Sequence, residues 1–256
     1  MSKPATQVPI LMFHSISDAG GPTSIAPDTF KSMMSKLAES DYEVVSLEDV
    51  AAWHRGEREL PEKAMAITFD DGFVDFKDHA HPVLEAFNFP STLFVPTRKT
   101  GEIEDWYGGH NDQRPLLDWP ALQTLDQTLA DIAPHGRNHI ALSTLEGDAL
   151  SDEIAGSKSD LENELSKTST HFAPPYGQVS PSALEQIARH YDLSVGVEHG
   201  IATRSSNLYD LPRIEMFYYQ DLARWQDFLD GKGGFYLKLR QALRTIRSFV
   251  KPVAYS

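Results

Sequence analysis

The chain has 256 residues, 41% hydrophobic and 23% charged, with 37 acidic against 23 basic side chains and a net charge of −14. That length suits one α/β barrel domain with a full core, and the acidity excludes a general nucleic-acid binder, which needs a basic surface to neutralise phosphates. With no cysteine present, disulfides, thiolate zinc sites and cysteine nucleophiles are excluded, so any metal must be held by His, Asp or Glu.

Met1 to Pro9 lacks the charged start, long apolar core and small-residue cleavage site of a secretory signal. No stretch is long enough to span a bilayer, and a cytoplasmic protein is expected. Val8 to Phe13 is an apolar run ending at His14 and Ser15, which predicts a strand with polar residues at its exit. Pro27 opens a helical pattern with Phe30, Met33, Met34 and Leu37 on one face. Tyr42 to Leu47 is a second strand, and Ser46 with Asp49 has the spacing of a capping box for a helix through Trp53. Ala64 to Phe69 is a third strand, stopping at Asp70, Asp71 and Gly72.

His81, Val83, Leu84 and Phe87 then read as a helix, and Ser91 to Val95 as a strand. Thr97 to Asp118 is polar and without period, a long loop of the kind that is commonly functional. Trp119 to Leu125 is helical, and Leu129 to Ala133 is a strand leading to His135. A charged helix over Asp148 to Leu165 follows, then a strand at His171 to Ala173, a helix from Pro181 to His190, and a strand over Leu193 to Val197 that exits at Glu198 and His199. Strands and helices alternate without a linker, which predicts one domain built on a parallel sheet or barrel.

In such barrels the chemistry sits at the carboxyl ends of strands. His14, Asp70, Asp71, His135, Tyr176 and His199 all follow predicted strands. Two adjacent carboxylates repel unless a cation relieves them, and alternation can aim one at a metal and the other at water. His135 and His139, four residues apart, can share a divalent ion with Asp71 and leave a fourth position open. Gly136 stands where the helical zinc-protease motif needs glutamate, and it favours a loop or single turn over a helix. His79 and His81 precede Pro82 at a spacing that does not share a helix face, and they read as structural or surface residues.

Thr68-Phe69-Asp70-Asp71-Gly72, His135-x-x-x-His139 and Pro174-Pro175-Tyr176-Gly177 together resemble the polysaccharide deacetylase family, the family-four carbohydrate esterases, over roughly Val8 to Phe217. Pro9-Ile-Leu-Met-Phe-His14-Ser and Leu211-Pro-Arg213-Ile resemble its branch acting on poly-N-acetylglucosamine and related glycans. The resemblance implies a distorted (β/α)7 barrel over residues 1–230 and a metal-dependent hydrolase that removes an N-acyl group from an amino sugar. It implies Asp71, His135 and His139 as ligands of a divalent metal, zinc first, with nickel or cobalt tolerated by the same donors. Asp70 would be the general base, His14 the general acid, and the backbone N–H of Tyr176 an oxyanion donor. Pro174 and Pro175 would shape the groove wall, with Arg213 and His199 as further substrate-binding candidates. Ala173 stands where many members carry an arginine that positions the base, and Arg213 is the candidate to replace it from another strand. The substrate would be an N-acylated amino sugar, an oligosaccharide or a lipid-linked saccharide. Two other readings stay open at this point: a glycan-binding relative without turnover, and an esterase using the same metal.

Six of the 23 basic residues and none of the 37 acids follow Asp230. Leu239, Ala242, Leu243, Ile246 and Phe249 recur at helical spacing beside Arg240, Arg244, Arg247 and Lys251, which predicts a basic amphipathic helix over 231–256. It is expected either to pack on the acidic barrel or to touch an anionic membrane, each surface cation contributing about 1 kcal/mol.

Overall fold

Parallel strands covered on both faces are built from continuous apolar runs, and three such runs, Ile10–Phe13, Ala64–Phe69 and Ser91–Val95, are buried at every position. The computed structural model describes residues 3–106, 113–234 and 236–241. In chain order the elements are β1 (Gln7–Val8), β2 (Ile10–Phe13), α1 (Pro27–Ala38), β3 (Glu43–Val44), α2 (Leu47–His54), β4 (Ala64–Phe69), α3 (His81–Ala86), β5 (Ser91–Val95), α4 (Trp119–Leu125) and β6 (Ala130–Pro134). They continue with α5 (Gly147–Ser151), α6 (Ser157–Leu165), β7 (His171–Phe172), α7 (Pro181–His190), β8 (Leu193–His199), β9 (Ala202–Thr203), β10 (Leu211–Glu215) and α8 (Leu222–Leu229).

Seven strands lie side by side and parallel in the order β6-β5-β4-β2-β10-β8-β7, with β3 added on β4. The two ends meet where the N–H of Ala173 donates to the carbonyl of Pro134 at 3.3 Å. This is the nearly closed, distorted (β/α)7 barrel expected from the sequence, in a single domain. β1 and β9 pair antiparallel outside it. No helix among the described residues is long and apolar enough to cross a membrane.

Alternation along the strands divides the core. Met65, Ile67 and Phe69 of β4 pack outward with Phe30, Met33 and Met34 of α1, whereas Ala64 and Ala66 join Ile10, Phe94, Ala133, Val195 and Leu211 in a second cluster. Small residues suit that second, inner layer, because a barrel of this size leaves room only for interdigitated side chains. The inner parity continues past the last apolar residue of each strand to Asp70, His14, His135 and His199, and it includes Arg213 on β10.

Several elements depart from the sequence expectation. β10 carries Pro212 and Arg213 among its five residues, so it shows no strand period, although it pairs with both β2 and β8. The expected strand over Tyr42 to Leu47 shortens to two residues because Ser46 leaves it to cap α2, its side chain accepting from the N–H of Asp49 at 3.1 Å in the predicted capping box. The single helix expected over Asp148 to Leu165 is interrupted by a π turn, Asp152–Gly156. At the C-terminus, residues 236–241 are helical, but Leu237 packs inward while Leu239, assigned to the apolar face, is 44% exposed. Arg240 lies 3.5 Å over the ring of Tyr218. The expected helical positions Ala242, Leu243, Arg244, Ile246, Arg247, Phe249 and Lys251 lie outside the described residues.

Candidate active site

β4 delivers two adjacent carboxylates in opposite directions. Asp70 keeps the inner parity of the strand, while Asp71, at φ 76, and Gly72, at φ 73, turn the chain through the left-handed region. A Cβ on Gly72 would stand 2.9 Å from Cγ1 of Val95, so only glycine fits the turn against β5. Five non-glycine residues among those described have positive φ; Asn88 and Ser166 end helices, and the other three are Asp71, His139 and Tyr176. Unfavourable backbone kept at three neighbouring positions marks a site the surrounding structure holds in place.

Asp71, His135 and His139 are buried, and one ligand atom from each lies within 4.8 Å of the others. Nε2 of His139 is 3.2 Å and Nε2 of His135 is 3.5 Å from the same oxygen, Oδ1 of Asp71. The opposite nitrogens are engaged: Nδ1 of His135 lies 2.7 Å from the carbonyl of Ala173, and Nδ1 of His139 lies 3.1 Å from the Tyr176 hydroxyl. Those partners fix the ring orientations and leave both Nε2 atoms converging on Asp71. Burial pushes the Asp71 carboxyl up, but hydrogen bonds from His135 and His139 hold it well below the usual carboxylate range. Burial pushes His139 down, toward the neutral imidazole a metal requires. Two imidazoles and one carboxylate therefore fit a divalent ion, as a catalytic site with an open position needs.

Asp70 is held separately. Nη1 and Nη2 of Arg213 donate to its two oxygens at 2.7 Å each, while Nε donates to the carbonyl of Gly196 at 2.7 Å and Nη1 also reaches Oγ1 of Thr68 at 3.1 Å. Burial raises the Asp70 carboxyl, and the Arg213 charge, with His135, outweighs it and keeps the group ionised. Arg213 is 0% exposed. It presents no surface to a sugar, and both of its terminal nitrogens are engaged by Asp70.

His14, with its side chain 17% exposed, has Nε2 4.0 Å from Oδ2 of Asp70. The two are out of direct hydrogen-bond range and can flank one reacting group. Tyr176 closes the other side at φ 59, ψ 2 in the turn Pro175–Gly177, and burial pushes its hydroxyl up to about 12, so it stays protonated. His199 is buried as well: its Nδ1 accepts from the N–H of Glu215 at 3.2 Å, and its ring packs against Tyr218 and Tyr219. Sequence reasoning assigned no role to Thr68, which donates to the carbonyl of Leu11 at 2.7 Å and braces Arg213. Nor did it single out Trp106, whose ring stacks on His139 with centroids 3.9 Å apart; an aromatic residue in a long polar loop was the available signal.

Fold and site together define a (β/α)7 barrel with a His2Asp set that can hold a divalent metal and a separately held carboxylate at the strand ends. The sequence profile of the polysaccharide deacetylase family matches residues 57–195, and the chain belongs to that family of enzymes. It is 26% identical to the protein YxkH of Bacillus subtilis over 84% of this chain and 72% of that one. It is 23% identical to the poly-beta-1,6-N-acetyl-D-glucosamine N-deacetylase of Escherichia coli over 80% of this chain, and it spans 36% of that protein's length. The Streptococcus pyogenes deacetylase PplD, solved with acetate, superposes with a TM-score of 0.72 at 26% identity, covering 83% of this chain and 92% of that one.

Proposed function

We propose that this protein removes N-acetyl groups from a β-linked N-acetylglucosamine glycan, of the class named for the Escherichia coli relative. One observation carries the reading: three metal-type donors converge within 4.8 Å beside a carboxylate that its own arginine keeps ionised. Asp71, His135 and His139 would hold the divalent ion, zinc first. Such an ion, when bound, supplies Lewis-acid polarisation of the amide carbonyl and acidifies water. Asp70 takes the proton of the attacking water. His14, on the neighbouring strand, returns a proton to the leaving amine, and the backbone N–H of Tyr176 donates to the developing oxyanion. Pro174 and Pro175 form the groove wall that positions the sugar.

The finer part of the proposal concerns the basic C-terminal segment. Its described portion lies against Tyr218, which follows β10 at the same end of the barrel as Asp70. The cations after it would bring that end toward anionic lipid.

The test is acetate release from β-1,6-linked N-acetylglucosamine oligosaccharides by protein loaded with zinc, cobalt or nickel, with metal content measured on the same samples. Asp71→Ala, His135→Ala and His139→Ala should lose metal and turnover together, and Asp70→Asn should keep metal and lose turnover. Full metal content in the first three, or no acetate from the wild type with any of the metals, refutes the reading.

A further inference from the structure

The segment His135–His139, which carries both histidines, is neither helix nor strand, and Gly136 (φ 71) and His139 (φ 57) sit in the left-handed region. Its carbonyls are held by one neighbour: Gly136 accepts from the N–H of Thr97 at 3.1 Å and Arg137 from that of Arg98 at 2.9 Å. Its N–H groups are held by another, the π turn between α5 and α6. Glu153, 3% exposed, places one carboxylate oxygen on the N–H of Arg137 at 2.7 Å and on that of Asn138 at 3.0 Å, and the other on the side-chain amide of Asn138. A carboxylate accepting from two consecutive backbone N–H groups fixes the orientation of both peptides, and such charge-assisted bonds are among the stronger ones available.

The sequence makes room for this clamp on both sides. A Cβ on Gly136 would stand 2.9 Å from the same Glu153 oxygen, so glycine is what lets the carboxylate approach. A Cβ on Gly156 would stand 2.5 Å from Cζ of Arg137. Without it, Arg137 lies across the turn and binds Asp160 through Nε at 2.8 Å and Nη2 at 2.6 Å, and Asp152 through Nη1. A π turn inserts one extra residue into a helix and is frequent near functional sites. Here the turn itself supplies Asp152, Glu153 and Gly156 to a single loop.

From this geometry we propose that Glu153 is a positioning residue for the metal centre: acting through the peptides of Arg137 and Asn138, it sets the relation of His135 to His139 and thereby the metal affinity, without touching metal or substrate. The inference rests on reading Asp71, His135 and His139 as the ligands. Partners that orient ligating histidines typically change metal affinity by about 10- to 100-fold when removed, and Glu153 acts one bond network further back, on the loop itself.

The experiment titrates metal-free protein with cobalt, reading the dissociation constant and the visible absorption spectrum, without any activity assay. Glu153→Ala should weaken cobalt binding by about 10-fold or more and alter the spectrum. Glu153→Gln should stay close to wild type, because its amide oxygen can still accept from both N–H groups and the Asn138 amide can turn to accept from its nitrogen. Gly136→Ala, which displaces the carboxylate from the other side, should weaken binding as Glu153→Ala does, and it decides the matter if Glu153→Ala does not fold. Leu37→Ala, a cavity in α1 remote from this network, controls for general destabilisation and should keep the wild-type constant. Wild-type affinity and spectrum in both Glu153→Ala and Gly136→Ala overturn this proposal and leave the ligand assignment standing; a wild type that binds no cobalt overturns both.

Discussion

Replacing Arg213 by methionine keeps most of the buried volume and removes all of the charge. Two hydrogen bonds of 2.7 Å to Asp70 disappear, and that carboxylate is 3% exposed, so water does not replace them. Each bond to a charged group contributes about 1.5–3 kcal/mol, and breaking a buried pair by removing one partner costs about 3–5 kcal/mol. We therefore expect the urea-unfolding free energy at neutral pH to fall by about 3–5 kcal/mol. The sense of its pH dependence follows from the pair. Burial raises the Asp70 carboxyl, and Arg213 is the first of the groups that bring it below its ordinary value. In the wild type the stabilisation is in full force above the unfolded value of about 4 and is lost as pH falls through the lower folded value. In Arg213→Met burial dominates and the carboxyl rises. The stability gap to wild type should then be widest near neutrality and close toward acid pH, and the acid limb of kcat/KM should move to higher pH. A loss under about 1 kcal/mol, the range of exposed pairs, together with an unmoved acid limb, would refute the reasoning.

His14→Ala should remove the alkaline limb of the kcat pH profile, while His199→Ala, whose ring packs against Tyr218 and Tyr219, should leave it in place; the reverse pattern transfers the acid role to His199. Gly72→Ala combines φ 73 with a Cβ 2.9 Å from Val95 and should lower stability by about 1–3 kcal/mol, read by urea unfolding, with wild-type stability as the contrary result. Glutamate at Arg244, Arg247 and Lys251 together should abolish salt-sensitive binding to vesicles containing phosphatidylserine. Charge reversal is preferable to truncating the chain after Gly231, which would also strip Tyr236 and Leu237 from the core; binding unchanged by the triple charge reversal rules the lipid contact out.

The strand exits were legible in the sequence because a parallel barrel buries both faces of its strands. Apolar runs such as Ile10–Phe13 and Ala64–Phe69 therefore end abruptly where the chain reaches the mouth, and the polar residue that follows, His14 or Asp70, stands out as a signal. The same logic placed His14, Asp70, Asp71 and His135 at one end of the molecule, and the Ser46 capping box was local enough to be read from four residues. What residue pattern alone left undetermined, and the family resemblance only suggested for Arg213, Asp70 and Asp71, depends on distance along the chain. Arg213 lies 143 residues from Asp70, on a strand whose proline and arginine erase its period, and only closure of the sheet brings β10 beside β2, with Arg213 reaching Asp70 at the end of β4. Glu153 read as one acid among many on a charged helix, because a π turn has no periodic signature and its carboxylate acquires meaning only when the His135–His139 loop folds over it. Asp71 and Asp70 are adjacent and chemically alike. Which of them faces the histidines and which the arginine was decided by the left-handed turn at Asp71 and Gly72, a backbone choice imposed by the packing of Gly72 against Val95.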